Sequence, residues 1–276
     1  MKIRDFRRKL ASQFENCDSV DISLILCDTL NLSKTELLSG DREVTIEEEK
    51  EVSDKVSRLE RGEPVQYIIG KCEFMSLSFY VRKGILIPRQ DTEVLVEVLI
   101  ERLNNEKPLK VIDMCTGSGC IGISLAYYMK NISVSLCDIS EVALDTAKEN
   151  AKRHIEGREY NIFKMNLLED FPDEEYDCIV SNPPYIRTDV IEGLDRKVKD
   201  FEPDIALDGG CDGLVFYRRI AKEAKLKKGG ILAFEIGFDQ GKEVSDILNE
   251  NGFTNIEVIK DIENRDRVVL GIKEYS

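Results

Sequence analysis

From about residue 90 onward, short apolar runs alternate with helical stretches, and no other feature of this chain limits its fold as tightly. Strand-like runs fall at residues 110–114, 134–137, 161–164, 178–181, 231–235, 256–259 and 267–271. Helical patterns occupy 91–103, the stretch up to about 129, the stretch from Ser140 to about 154, and 241–249. Strands separated by helices belong to an open, mostly parallel sheet covered on both faces, here with seven strands. Only a short turn joins the last two runs, so that pair must be antiparallel.

The first 70 residues read differently, as helices alone. Leu24, Leu26 and Leu30 share one apolar stretch, and Val52, Val56 and Leu59 recur at helical spacing on a charged segment. Thr45 and Glu48 fit a capping box at the start of that segment, and Gly62 fits its end. Between residues 72 and 87, Phe74, Leu77, Phe79, Val81 and Ile85 suggest a short β-hairpin. The expected organisation is a small N-terminal helical domain (1–71), a hairpin linker (72–88) and an α/β domain (89–276).

Composition narrows the function classes. The chain has 276 residues, 42% of them hydrophobic, and none of its apolar runs approaches a membrane span. The start, Met1-Lys2-Ile3-Arg4-Asp5-Phe6, turns charged too soon for a secretory signal, so a cytoplasmic protein is expected. Asp and Glu outnumber Lys and Arg by 53 to 39, a net charge of −14, which makes DNA a poor partner. Eight cysteines are scattered, with Cys27, Cys137 and Cys178 in apolar stretches, as reduced thiols of a cytosolic protein would be. Cys115 and Cys120 lack a second pair at ligand spacing, so no metal site is expected. His154, the single histidine, is expected on an exposed helix face and leaves nothing for a Ser-His-Asp mechanism. Nothing in the sequence asks for more than a monomer.

Two loops carry the chemistry. The first follows the run at 110–114 and reads Cys115-Thr116-Gly117-Ser118-Gly119-Cys120, where a Gly-x-Gly turn lets backbone approach a ligand. One strand later Asp138 can accept both hydroxyls of a ribose, so the pair points to a nucleoside-containing cofactor. Gly122 formally completes the G-x-G-x-x-G spacing of a dinucleotide site, whereas Asp113 at the strand end suits S-adenosylmethionine.

The second loop is Asn182-Pro183-Pro184-Tyr185, which leaves the run at 178–181 at the carboxyl edge of the sheet. Its prolines fix the backbone and remove N–H groups, so it presents acceptors: the Asn182 side-chain oxygen and the Pro183 carbonyl. Such a pair can hold both hydrogens of a planar NH2 group and turn its nitrogen toward a sulfonium methyl, with Tyr185 packed against the plane. An amide and the exocyclic amine of a nucleobase would both suit it.

Over nearly its whole length the chain resembles the release factor glutamine methyltransferases. The likeness rests on Glu63-Pro64-Val65-Gln66-Tyr67-Ile68-Ile69-Gly70, Glu73-Phe74, Ile87-Pro88-Arg89-Gln90-Asp91-Thr92-Glu93 and Ser181 to Tyr185. It continues through Glu202-Pro203, Asp208-Gly209-Gly210, Glu235-Ile236-Gly237 and Arg265-Asp266-Arg267-Val268. The resemblance implies a Rossmann-like methyltransferase fold that uses S-adenosylmethionine, releases S-adenosylhomocysteine, and methylates N5 of the glutamine in a Gly-Gly-Gln loop of peptide chain release factors. It implies a cofactor site of Cys115, Thr116, Gly117, Ser118, Gly119, Asp138, Asn166 and Asn182. It places the substrate glutamine on Asn182, Pro183, Pro184 and Tyr185, with Asn182, Pro183 and Tyr185 at the reacting nitrogen. The N-terminal helices would help grip the release factor, and Arg89 and Glu93 would border the pocket. Two positions depart from the family: Cys115 stands where glycine is usual, and Gln90 where a second proline is usual. Only slight crowding is expected at Cys115, with the unusual backbone left to Gly117 and Gly119.

Overall fold

A computed structural model describes residues 1–103 and 106–274, which form two compact units. One unit comprises Met1–Lys71 together with Asp195–Phe201, and the other Cys72–Leu194 with Glu202–Ser276, its last two residues lying outside the described ones.

The first unit is helical: α1 (Ile3–Gln13), α2 (Ser19–Thr29), α3 (Lys34–Ser39), α4 (Ile46–Glu60) and α5 (Val65–Ile69). Helix α4 begins at the anticipated capping box, in which the Thr45 side chain accepts from Glu48 N and the Glu48 carboxylate accepts from Thr45 N. Gly62 follows its end at φ +92°, a conformation that favours glycine. Ile3, Phe6, Leu10, Ile25, Leu26, Val52 and Val56 form a core of their own. The segment 195–201, distant in sequence, packs into this unit, with Lys197 3.9 Å from Asp21.

The second unit opens with a two-stranded hairpin, β1 (Lys71–Phe74) and β2 (Leu77–Tyr80), whose first residue belongs to the unit before it. The hairpin is shorter than its apolar pattern suggests. Val81 and Ile85 are buried but lie outside any strand, because Gly84 turns the chain at φ +97° and Pro88 follows. After a 3-10 turn (Gln90–Thr92) come α6 (Glu93–Arg102), β3 (Leu109–Met114), α7 (Cys120–Tyr128), β4 (Ile132–Asp138) and α8 (Glu141–His154). They are followed by β5 (Tyr160–Lys164), β6 (Tyr176–Ser181), α9 (Thr188–Ile191), α10 (Arg196–Lys199, in the first unit) and a second 3-10 turn (Asp204–Ala206). The chain finishes with α11 (Val215–Glu223), β7 (Leu226–Glu235), α12 (Gly241–Glu250), β8 (Phe253–Lys260) and β9 (Asp266–Lys273). Helix α11 is not anticipated above, although Tyr217, Ile220 and Ala221 mark its buried face at i, i+3 and i+4.

Seven strands form one sheet in the order β5-β4-β3-β6-β7-β9-β8, parallel except for β9, which runs antiparallel to both neighbours. Strand side chains alternate between two cores: Val111, Val134, Leu136, Cys178 and Val180 face one, Ile112, Met114, Ile179, Leu232 and Phe234 the other. Helices α6, α7 and α8 supply the first core, and α11 and α12 the second. His154 is only half exposed: its Nε2 lies 2.9 Å from the Ser78 carbonyl and its ring packs 5.0 Å from Phe79, so burial lowers its pKa. No helix among the described residues is long and apolar enough to cross a membrane.

Candidate active site

Strand register brings the two loops together. Met114 of β3 pairs with Cys137 of β4 on one side and Ser181 of β6 on the other. One residue further along each strand stand Cys115, Asp138 and Asn182, so three strands release their chemistry at the same level. This is the point where strand order reverses direction, the crevice in which open α/β sheets bind ligands. The junction is tied by Ser181 Oγ donating to the Met114 carbonyl (2.6 Å) and Thr116 N donating to the Cys137 carbonyl (3.0 Å). On β5, Lys164 pairs with Asp138 and Met165 N donates to the Asp138 carbonyl, which delivers Asn166 to the same edge.

A cleft of about 940 Å³, its open side included, lies at this edge. Cys115, Gly117, Asp138, Asn166, Asn182 and Pro184 line it. Leu86, Ile139, Ile205 and Phe216 add apolar walls; Ile139 follows Asp138 directly, whereas the other three come from segments outside the two loops.

Thr116, Ser118 and Gly119 are not on the wall. Thr116 is buried and donates through Oγ1 to Asp113 Oδ2 (2.7 Å), while the Ser118 carbonyl accepts from Asn150 Nδ2 (2.9 Å). A Cβ on Gly119 would lie 2.6 Å from Ile123 Cδ1 and 3.2 Å from Ala147 Cβ, so this glycine serves helix packing. Arg89 and Glu93 also lie off the wall. Arg89 pairs with buried Glu202, and the Glu93 carboxylate accepts from Met75 N in the hairpin turn (2.7 Å).

Cys115 changes the account of the first loop. Its φ is +59°, so the left-handed conformation begins at the cysteine itself and recurs at Gly117 (+55°) and Gly119 (+81°). A side chain in that region costs about 1–2 kcal/mol, which explains why glycine suits the position. Burial pushes the thiol pKa up, so Cys115 remains protonated and is no nucleophile.

The acidic residues divide their work. Asp138 accepts from Gly117 N through Oδ2 and from Ser140 N through Oδ1 (2.9 Å each), and it lines the cleft. Asp113 is fully buried and accepts from Thr116 and from Gly122 N (3.0 Å), bracing the loop from beneath. Burial pushes its pKa up to about 7, against the opposing effect of these two bonds.

In the second loop, Pro183 is buried and Tyr185 half-buried, and neither lines the cleft. The Tyr185 ring packs into the core on the α11/α12 side, and its hydroxyl lies 3.5 Å from Glu235 Oε1. Among the described residues, no protein donor engages the Asn182 side chain or the Pro183 carbonyl. Glu235 is 1% exposed, and its Oε2 has no hydrogen-bond partner. Burial pushes its pKa up to about 7, although Thr92 and Arg267 favour the charged form; Asp91 opposes them.

A carboxyl group whose folded pKa is raised stabilises the fold fully below its unfolded pKa, and that stabilisation is lost as pH rises through about 7. Glu235→Gln should therefore flatten the fall in unfolding free energy between pH 6 and 8. The change in slope should be on the order of 1 kcal/mol per pH unit near pH 6. Urea unfolding at several pH values checks this, and equal slopes in the two proteins would refute a neutral Glu235.

Residues 90–194 match the methyltransferase small domain and residues 3–70 the PrmC N-terminal domain. A release factor glutamine methyltransferase of Clostridium acetobutylicum is 45% identical, with 99% of each chain covered. The chain belongs to the release factor glutamine methyltransferase family. Enzymes of the same name from Clostridium botulinum (43% identical, 92% of each chain) and Bacillus cereus (40%, 91% of each) are also similar. Among solved structures, a methyltransferase from Pyrococcus furiosus shares the fold at TM-score 0.54 and 16% identity, over 81% of this chain and all of that one. The catalytic domain of hMettl16, solved with an RNA hairpin, does so at 0.55 and 17%, over 72% and 76%. The chain is thus a methyltransferase by family and fold.

Proposed function

We propose that this chain transfers a methyl group from S-adenosylmethionine to N5 of the glutamine in the Gly-Gly-Gln loop of peptide chain release factors. The observation that carries the reading is the pair of unengaged acceptors, the Asn182 side-chain oxygen and the Pro183 carbonyl, beside a cleft that also presents Asp138. Family membership adds the substrate class, since the relatives bear that name.

The residues at the cleft suit the cofactor. Asp138 offers lone pairs to two ribose hydroxyls, the 115–119 backbone passes close by at left-handed residues, and Ile139, Leu86 and Phe216 offer apolar surface to a purine. Asn166 stands at the rim with its Oδ1 already accepting from Leu168 N, which leaves its NH2 to donate. When bound, S-adenosylmethionine supplies an electrophilic methyl group and leaves as S-adenosylhomocysteine.

The loop supplies the rest. A glutamine amide has two N–H donors and a lone pair delocalised into its carbonyl. Asn182 Oδ1 and the Pro183 carbonyl accept the two hydrogens, hold the nitrogen in place and favour its pyramidalisation as the new bond forms. One hydrogen leaves as a proton once the methyl is attached, so no strong base is needed beforehand. Pro184 lines the slot for the planar group, Tyr185 anchors the loop from the core instead of packing against that plane, and the N-terminal helices grip the remainder of the release factor. A cytoplasmic setting follows from this substrate.

The test is incubation with methyl-labelled S-adenosylmethionine and, separately, a release factor, the same factor with its loop glutamine changed to alanine, and duplex DNA. Label is expected on the first alone. Label on DNA but not on the release factor would overturn the assignment.

A further inference from the structure

Against the acceptor loop and off the cleft wall stands Gln240, which precedes α12 and is 9% exposed. Its Nε2 donates to the Tyr185 carbonyl (3.1 Å) and the Gly213 carbonyl (3.3 Å). Its Oε1 accepts from Gly237 N (2.9 Å), with the Tyr217 hydroxyl 3.4 Å away and shared with the Glu235 carbonyl. The partners dictate the amide's orientation, because the opposite one would set oxygen against two carbonyls and NH2 against an N–H. One side chain thus joins three segments: the acceptor loop, the glycine-rich stretch at 208–213 and the end of β7.

Glycines let these segments come close enough. A Cβ on Gly213 would lie 2.4 Å from the Tyr185 carbonyl oxygen and 2.8 Å from Gln240 Nε2. A Cβ on Gly209 would lie 2.7 Å from Tyr185 Cα, and one on Gly237 2.9 Å from Gln240 Oε1. Among the described residues, no other side chain bonds the main chain of the stretch from Asn182 to Tyr185. Two consecutive prolines separate Tyr185 from Asn182, so a tether at one end of this stiff segment sets the position of the other.

Resting on the function proposed above, we propose that Gln240 is a positioning residue for methyl transfer, holding Tyr185 so that Asn182 and Pro183 meet the amide hydrogens at the required place. It touches neither substrate nor cofactor. A displacement of about 1 Å at such a site costs on the order of 100-fold in rate.

Gln240→Ala should lower kcat by about 10- to 100-fold and change the dissociation constant for S-adenosylmethionine, measured by calorimetry, by less than about threefold. Because Gln240 acts through the loop, Gln240→Ala combined with Asn182→Ala should be little slower than Asn182→Ala alone. Deuterium uptake in a peptide spanning residues 180–190 should also rise in Gln240→Ala. Multiplying effects in the double variant, or an equal loss of cofactor affinity, would overturn the proposal. Should Gln240→Ala fail to fold, Gly213→Ala pushes on the same contact from the other side and should show the same kcat loss and the same coupling to Asn182; its absence overturns the proposal equally. If the wild-type enzyme labels no release factor, the substrate reading fails by itself. The brace then stands or falls on deuterium uptake, with unchanged uptake refuting it.

Discussion

Asn182→Ala should lower kcat by about 100- to 1,000-fold, the usual consequence of removing one hydrogen-bonding group aimed at a reacting centre. Affinity for S-adenosylmethionine should change by less than about threefold. The asymmetry follows from the surroundings of this side chain. It stands at the cleft one residue beyond the β6 register, with its oxygen unengaged by protein donors, and its proposed partner is the substrate nitrogen. The cofactor is expected to depend more on Asp138, the 115–119 backbone and the apolar wall. Single-turnover rates with a saturating release factor, set beside calorimetric titration of the cofactor, check the prediction. Equal losses in rate and affinity would mean that Asn182 chiefly positions the cofactor.

Gly122→Val should destabilise the fold by about 3 kcal/mol, the upper part of the range for overpacking a close-packed core. Helix α7 lies so near the sheet that even a Cβ at this position would meet Leu136 Cδ2 at 2.4 Å and Asp113 Cβ and Val134 Cγ2 at 3.0 Å. Gly122 N also donates to Asp113 Oδ2, so any shift of the helix would loosen the bond that braces the loop after β3. Urea unfolding measures the loss; a change below about 1 kcal/mol would show that the helix moves away at little cost. The same geometry accounts for the G-x-G-x-x-G spacing. Its third glycine permits close helix-sheet packing, which a dinucleotide fold and this one both need, so the spacing does not discriminate between their cofactors.

The cleft depends on groups that sequence patterns represent unequally. Asp138 and Asn182 follow apolar runs directly, and a strand's last residue places the next one at the sheet edge whatever the neighbouring strands do. Leu86, Ile205 and Phe216 have no such local marker, because they reach the cleft only when their segments fold over the sheet edge. Thr116 and Ser118 show the converse. They lie inside the motif, yet the tight turn directs them into the protein and leaves the cleft to Cys115 and Gly117.

The alternation of apolar runs and helices determined the seven-stranded, mostly parallel sheet, because strand length, helix spacing and short connections are local properties of a chain. Local chemistry likewise marked the capping box at Thr45, the acidic strand end at Asp138 and the stiff acceptor loop at Asn182–Tyr185. Tertiary structure alone decided that Cys115 takes a left-handed backbone, that residues 195–201 join the N-terminal helices, and that Tyr185 is tied to Gln240 and lies against Glu235. Each of these rests on partners distant in sequence, whose approach depends on strand register and close packing, which no local pattern records.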